Sequence, residues 1–117
     1  HGHAVGDQVL QATAKIMTQN MRAGDLLARW GGEEFLALLP RTSPTAALEA
    51  AERIREAVEA FTLSVSDTNT QVRVTISFGV SSVRCLDDLQ AATARADQAL
   101  YASKDNGRNR VTLAEDQ

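Results

Sequence analysis

Two glycines, Gly31 and Gly32, interrupt a stretch that is apolar on either side, with Leu26, Leu27 and Ala28 before them and residues 35–39 after. Glycine enters positive φ without a Cβ clash, so this arrangement predicts a β-hairpin over residues 26–39 with its turn at the glycine pair. Pro40 ends it. The turn is also acidic, because Glu33 and Glu34 follow the glycines directly. Adjacent carboxylates repel each other, so stability explains them poorly. They suit a hard divalent cation, which prefers carboxylate oxygens. Glycine beside them lets a bulky anion approach the backbone. A metal plus room for phosphates suggests a nucleoside triphosphate. The plainer alternative is a solvated turn with two incidental acids, and spacing alone leaves both open.

At 117 residues the chain reads as a single domain, 1–117, long enough for a real core. No apolar run approaches the roughly 20 residues that a membrane helix needs. The first residues carry no charged-then-apolar targeting pattern. Cys85 is the one cysteine, so no disulfide forms within the chain, which fits a reducing cytoplasm. The net charge of −3 argues against general nucleic-acid binding. An anionic nucleotide therefore needs local help from a metal and a few basic groups. Arginine outnumbers lysine 10 to 2, which suits forked contacts to phosphate or guanine.

Along the chain, Gly6 and Asp7 read as the opening of a helix with Leu10, Ala14, Met17 and Met21 on one face. Asp7 is a natural cap for it. After the hairpin, Ser43 and Pro44 read as an N-cap followed by proline in the first turn. The helix that follows is expected to bury Ala47, Leu48, Ala51, Ile54, Val58 and Phe61. Residues 64–71 read as a polar connection. Val72, Val74, Ile76, Phe78 and Val80 alternate with polar residues, which predicts one strand with a buried face. Asp87 or Asp88 starts a last helix containing Leu89, Ala92, Ala96, Ala99 and Leu100. Gly107 ends it as a left-handed residue, and residues 111–113 form a short terminal strand. The order is that of an α/β (α+β-like) domain with an antiparallel hairpin inside a mixed sheet.

These segments together resemble the GGDEF domain, the diguanylate cyclase family, in its Glu-for-Asp form. Gly31, Gly32, Glu33, Glu34 and Phe35 resemble its signature. Residues 2–7 resemble its GHxxGD segment, and residues 22–25 its RxxD motif. Residues 75–80 resemble its TxSxGV strand, and residues 96–101 and 104–109 its ADxALY and KxxGRN segments. The resemblance covers nearly the whole chain. It implies a mixed central sheet flanked by helices, similar to nucleotidyl cyclases and polymerase palms. In the family another strand and helix precede this point, carrying a metal-binding aspartate and a guanine-contacting asparagine. The resemblance thus describes an N-terminally truncated domain, expected to be inactive or weakly active alone. A missing central strand would expose backbone and invite association.

The resemblance also implies roles. Glu33 and Glu34 become catalytic residues and ligands of Mg2+, with Mn2+ as an alternative; one of them accepts the ribose 3′-hydroxyl proton. His3, Asp7, Gly31, Gly32, Lys104 and Arg108 become GTP-binding residues. Asp7 takes the guanine edge, while Lys104 and Arg108 take the triphosphate. Basic residues in a last helical turn also simply offset the helix dipole, and a histidine before a helix is more often a local hydrogen-bond partner. Arg22 and Asp25, with Arg53, become a separate site for cyclic di-GMP through which product feeds back. An Arg and an Asp three apart otherwise form a surface pair of small energy. The implied activity condenses two GTP into cyclic di-GMP and two pyrophosphates. It needs a second copy of the domain, and an upstream sensor or receiver domain supplies control. The rival is a binding module for cyclic di-GMP or GTP that does not turn over.

Overall fold

The computed structural model describes residues 3–31, 34–65, 70–83, 85 and 88–114. Helix α1 (His3–Gln19) starts earlier than expected. Asp7 therefore lies inside it and is exposed, too far in to cap the helix start. Among its described side chains, those of Met17 and Thr13 are buried. Thr13 is buried without penalty because its hydroxyl donates to Val9 O at 2.8 Å.

Strands β1 (Leu26–Gly31) and β2 (Glu34–Leu38) form the expected antiparallel hairpin. Leu26 faces Leu38, Arg29 faces Phe35 and Gly31 faces Glu34, so Trp30 has no opposite number and the register shifts there. Such an extra residue bends and twists its strand locally. Gly31 closes β1 as extended backbone and lacks the positive φ expected of it. Gly32 lies outside the described residues.

Helix α2 (Pro44–Ala60) begins as its sequence dictates. Ser43 Oγ accepts from Ala46 N at 3.1 Å, satisfying a backbone donor that the helix leaves free. Ala51, Ile54 and Val58 are buried at helical spacing. Phe61 is the C-cap and stays 38% exposed, where burial was expected, because the helix ends one residue before it.

The segment expected to be a polar connection is instead a second hairpin of β3 (Thr62–Val65) and β4 (Thr70–Arg73). Leu63 faces Val72 on the half-buried side, while Ser64 faces Gln71 in solvent. The expected single strand over 72–80 also divides. β4 ends at Arg73, and β5 (Phe78–Val80) resumes after four residues without a ladder. Val74 and Ile76 still turn inward and Thr75 outward. The alternation reports which side is buried, not whether the backbone pairs.

Helix α3 (Leu89–Asp105) follows, and β6 (Val111–Leu113) runs parallel to β5. Parallel neighbours need a crossover, and α3 supplies it. The helix sits directly on β5: a Cβ at Gly79 would lie 2.0 Å from Ala96 O and 2.3 Å from Leu100 N. The fully buried Ser103 pins its end, donating to Phe78 O at 2.8 Å and sharing a 2.6 Å hydrogen bond with Thr112 Oγ1. Among the described residues the ladders form three strand pairs, two antiparallel and one parallel. Met17, Ile54 and Val58 make the core, with Leu27, Phe35, Val74, Ile76 and Phe78 packed against it. The hairpin tip and the end of α3 are thereby anchored through Phe35 and Ser103, the immediate neighbours of Glu34 and Lys104.

Candidate active site

Glu34 is the first residue of β2, and Lys104 lies in the last turn of α3. The fold brings them together across 70 positions, with Lys104 Nζ 3.5 Å from Glu34 Oε2. Both side chains remain partly open to solvent. Opposite Glu34, a Cβ on Gly31 would meet nothing within 4 Å. Among the described residues nothing packs against that position.

That setting suits a hard cation. The Glu34 carboxylate already attracts one positive group and has solvent access. Among the described residues no three acidic, histidine or cysteine side chains gather as a ready cage. Mg2+ rarely needs one, since it usually keeps waters and takes one or two carboxylates plus substrate phosphates. Glu33, expected as the companion ligand, lies outside the described residues.

Beyond Lys104 the chain turns sharply. Asn106 caps α3, its N–H reaching Ala102 O at 2.9 Å, and Arg108 N donates to Ser103 O at 2.9 Å. Gly107, Arg108 and Asn109 are then left-handed in succession, with φ of 118°, 63° and 47°. Gly107 thus ends the helix as expected. Arg108 is exposed at the centre of this run.

The run is tied to α2 by a polar network that the sequence did not reveal. Arg55 Nη1 donates to Asn109 Oδ1 at 3.0 Å, and Asn109 Nδ2 donates to Glu59 Oε2 at 2.5 Å. Arg55 Nε and Nη2 reach Glu52 Oε1 at 3.0 and 2.5 Å. Asn109 N also donates to Ser77 Oγ at 3.1 Å. The hydrogen bond from Arg55 holds the Glu52 carboxyl below its usual range, against a smaller opposing effect of burial. The spacings of Arg55 from Glu52 and Glu59 were the available signal; the tie to Asn109 spans 54 positions and left none.

The proposed second site lies elsewhere. Asp25 Oδ2 accepts from Arg22 N at 2.8 Å, and its other oxygen is 3.8 Å from Arg22 Nη2. The Asp25 side chain is only 4% exposed, against 65% for Arg22. Arg22 also donates to Pro40 O at 3.2 Å and to Thr42 Oγ1. Arg53 is exposed on α2. His3 is the first residue of α1, and the expected role of its side chain lies outside what is described. No described helix is long and apolar enough to cross a membrane.

Residues 1–110 match the family described as diguanylate cyclase, GGDEF domain. Diguanylate cyclase A of Treponema denticola is 50% identical over 115 residues, 97% of this chain and 30% of that protein. The chain thus spans less than a third of that curated relative. The GGDEF domain of DgcB from Caulobacter crescentus, in complex with c-di-GMP, matches with a TM-score of 0.91 at 37% identity, over 98% of this chain and 68% of that one. The active GGEEF domain of a diguanylate cyclase from Vibrio cholerae matches with a TM-score of 0.85 at 34% identity, over 99% of this chain and 72% of that one.

Proposed function

The chain belongs to the family of diguanylate cyclase GGDEF domains, and we propose that it forms part of the catalytic domain of a cytoplasmic diguanylate cyclase. The observation that carries this reading is the meeting of Glu34 with Lys104, 3.5 Å apart at the turn end of the hairpin. A carboxylate for a metal and an ammonium for a phosphate there face one space. The complex of the DgcB domain with c-di-GMP supports the chemical class of the product.

Each domain holds one GTP. Asp7 takes the guanine edge, and His3 is a further GTP-binding residue. Gly31 and Gly32 let the phosphates approach the hairpin, and Lys104 and Arg108 neutralise them. Glu33 and Glu34 would hold a divalent cation, Mg2+ or Mn2+, which would neutralise triphosphate charge and polarise the α-phosphate. The 3′-oxygen of one GTP bonds to the α-phosphorus of the other. The bond from that phosphorus to the β-phosphate bridging oxygen breaks, and pyrophosphate leaves. A carboxylate of the acidic pair accepts the hydroxyl proton. The reverse attack closes the ring. Neither domain holds both substrates, so two copies must meet, and their mutual orientation supplies much of the rate. An upstream sensor or receiver domain controls that meeting. Product bound at Arg22, Asp25 and Arg53 holds the copies apart, giving feedback.

The test is GTP turnover by the full-length parent protein with Mg2+, with product identified chromatographically. Cyclic di-GMP is expected, and Glu34→Gln is expected to lower its formation by about 100-fold or more. Turnover unaffected by Glu34→Gln would remove the acidic turn from the mechanism. GTP and cyclic di-GMP binding without any turnover would favour the binding-module reading.

A further inference from the structure

We propose that Arg55 is a positioning residue for nucleotide binding: acting through Asn109, it holds the left-handed run from which Arg108 projects. The inference rests on the proposed role of Arg108 at the triphosphate.

The problem it solves is conformational. Gly107 accepts positive φ freely, but Arg108 and Asn109 bear side chains and are left-handed too, at φ 63° and 47°. Such backbone persists only where its surroundings over-determine it, and it collects at functional sites. Ser103 O and Ser77 Oγ accept the N–H groups of Arg108 and Asn109. These bonds fix two donors of the run but do not anchor it to α2.

The anchor is the Asn109 amide, engaged at both ends. Its oxygen accepts from Arg55 Nη1 at 3.0 Å and its nitrogen donates to Glu59 Oε2 at 2.5 Å. Arg55 has no acceptor and the Glu59 carboxylate has no donor, so one amide orientation alone satisfies both. Arg55 is itself fixed, since Glu52 accepts from Nε and Nη2. Its side chain is 16% exposed and is engaged by these partners. The planar fork aims separate donors at Glu52 and Asn109 at once. Lysine, a single point charge on a flexible stem, cannot reproduce both. Arg55 thus carries the rigidity of α2 into the backbone beneath Arg108 without touching nucleotide.

The experiment is a double-mutant cycle in the full-length parent protein, comparing wild type, Arg55→Lys, Arg108→Ala and the double variant by KM for GTP, kcat and thermal midpoint. Arg55→Lys is expected to raise KM about tenfold through misplacement of Arg108, with cyclic di-GMP affinity unchanged. The double variant is expected to be no worse than Arg108→Ala alone, because Arg55 acts only through that side chain. Asn109→Gly, which relieves the strain yet cuts the tie, is expected to repeat the KM effect and stands in should Arg55→Lys fail to fold. Additive losses, or an unchanged KM in a folded variant, overturn the proposal. A wild-type protein that neither binds nor turns over GTP overturns the functional reading, and this inference with it; losses confined to the variants leave that reading intact.

Discussion

Lys104 Nζ lies 3.5 Å from Glu34 Oε2, so the carboxylate assigned to a metal is already paired with a lysine assigned to phosphate. One positive charge thus sits near where another is expected. On the proposed reading, metal and triphosphate together would release Lys104 from the carboxylate and give it a phosphate partner instead.

This pairing predicts effects of opposite sign. Lys104→Met removes a competing cation, so Mn2+ without nucleotide is expected to bind about two- to fivefold more tightly, the scale of a solvent-exposed pair. GTP is expected to bind about tenfold or more weakly, for want of a charge-assisted hydrogen bond. Mn2+ titration followed by electron paramagnetic resonance reads the first, and nucleotide titration the second. Losses of both would place Lys104 outside the competition.

Two glycines separate ligand approach from packing. Gly31→Ala puts a methyl where, chain neighbours aside, no atom of the described residues lies within 4 Å, in a strand whose φ any residue adopts. Its thermal midpoint is expected to stay within a few degrees of wild type while GTP affinity falls. Gly79→Ala would drive a methyl to 2.0 Å from the Ala96 carbonyl oxygen and force α3 off β5. Rearrangement of that kind costs about 3 kcal/mol or more, and thermal unfolding compares the two directly. Preserved GTP affinity in folded Gly31→Ala would mean that phosphates do not approach the backbone there.

The sequence was legible where local chemistry decides the structure and opaque where distant partners do. Ser43 with Pro44 announced α2, Gly107 announced the end of α3, and the apolar runs around Gly31 announced the first hairpin. The second hairpin was missed because Ser64 and Gln71 pair on the solvent side and read as loop composition. Thr13 and Ser103 were missed as core residues because polarity argues for exposure, whereas their hydroxyls are satisfied by Val9 O, Phe78 O and Thr112. For the candidate site, the hairpin tip was visible as two acids beside two glycines, but only the family resemblance pointed to Lys104. The spacings of Arg55 from Glu52 and Glu59 hinted at ion pairs on α2, but nothing pointed to its tie with Asn109, 54 positions away.

Acid should weaken one part of the α2 network in a defined window. The Arg55 hydrogen bond, and then its charge, hold the Glu52 carboxyl below the ordinary value of 4.5, with burial opposing. A carboxyl depressed on folding contributes stability that is complete above its unfolded value and is lost as pH falls through its folded value. The stability difference between wild type and Glu52→Gln is therefore expected to shrink as pH drops below about 4.5. Because Glu52 is 44% exposed, solvent screens much of the effect. Urea unfolding of both proteins between neutral and acid pH measures it. A difference that is constant across that range would mean that the pair does not distinguish folded from unfolded chain.

Arg22 and Asp25 are neighbours with different duties, and that difference separates binding from folding. Asp25 is nearly enclosed, and its carboxylate accepts the Arg22 backbone N–H at 2.8 Å. Asp25→Ala removes that acceptor and is expected to cost about 1–3 kcal/mol. Arg22 is 65% exposed, and its guanidinium reaches Asp25, Pro40 O and Thr42 Oγ1 among the described residues. Arg22→Ala is expected to cost about 1 kcal/mol or less in stability, leave GTP affinity intact and weaken cyclic di-GMP binding strongly. Calorimetric titration of both nucleotides, beside thermal unfolding, reads all three quantities. Equal loss of both nucleotides would mean that Arg22 supports the fold rather than a separate product site. Undiminished cyclic di-GMP binding would move that site away from Arg22 altogether.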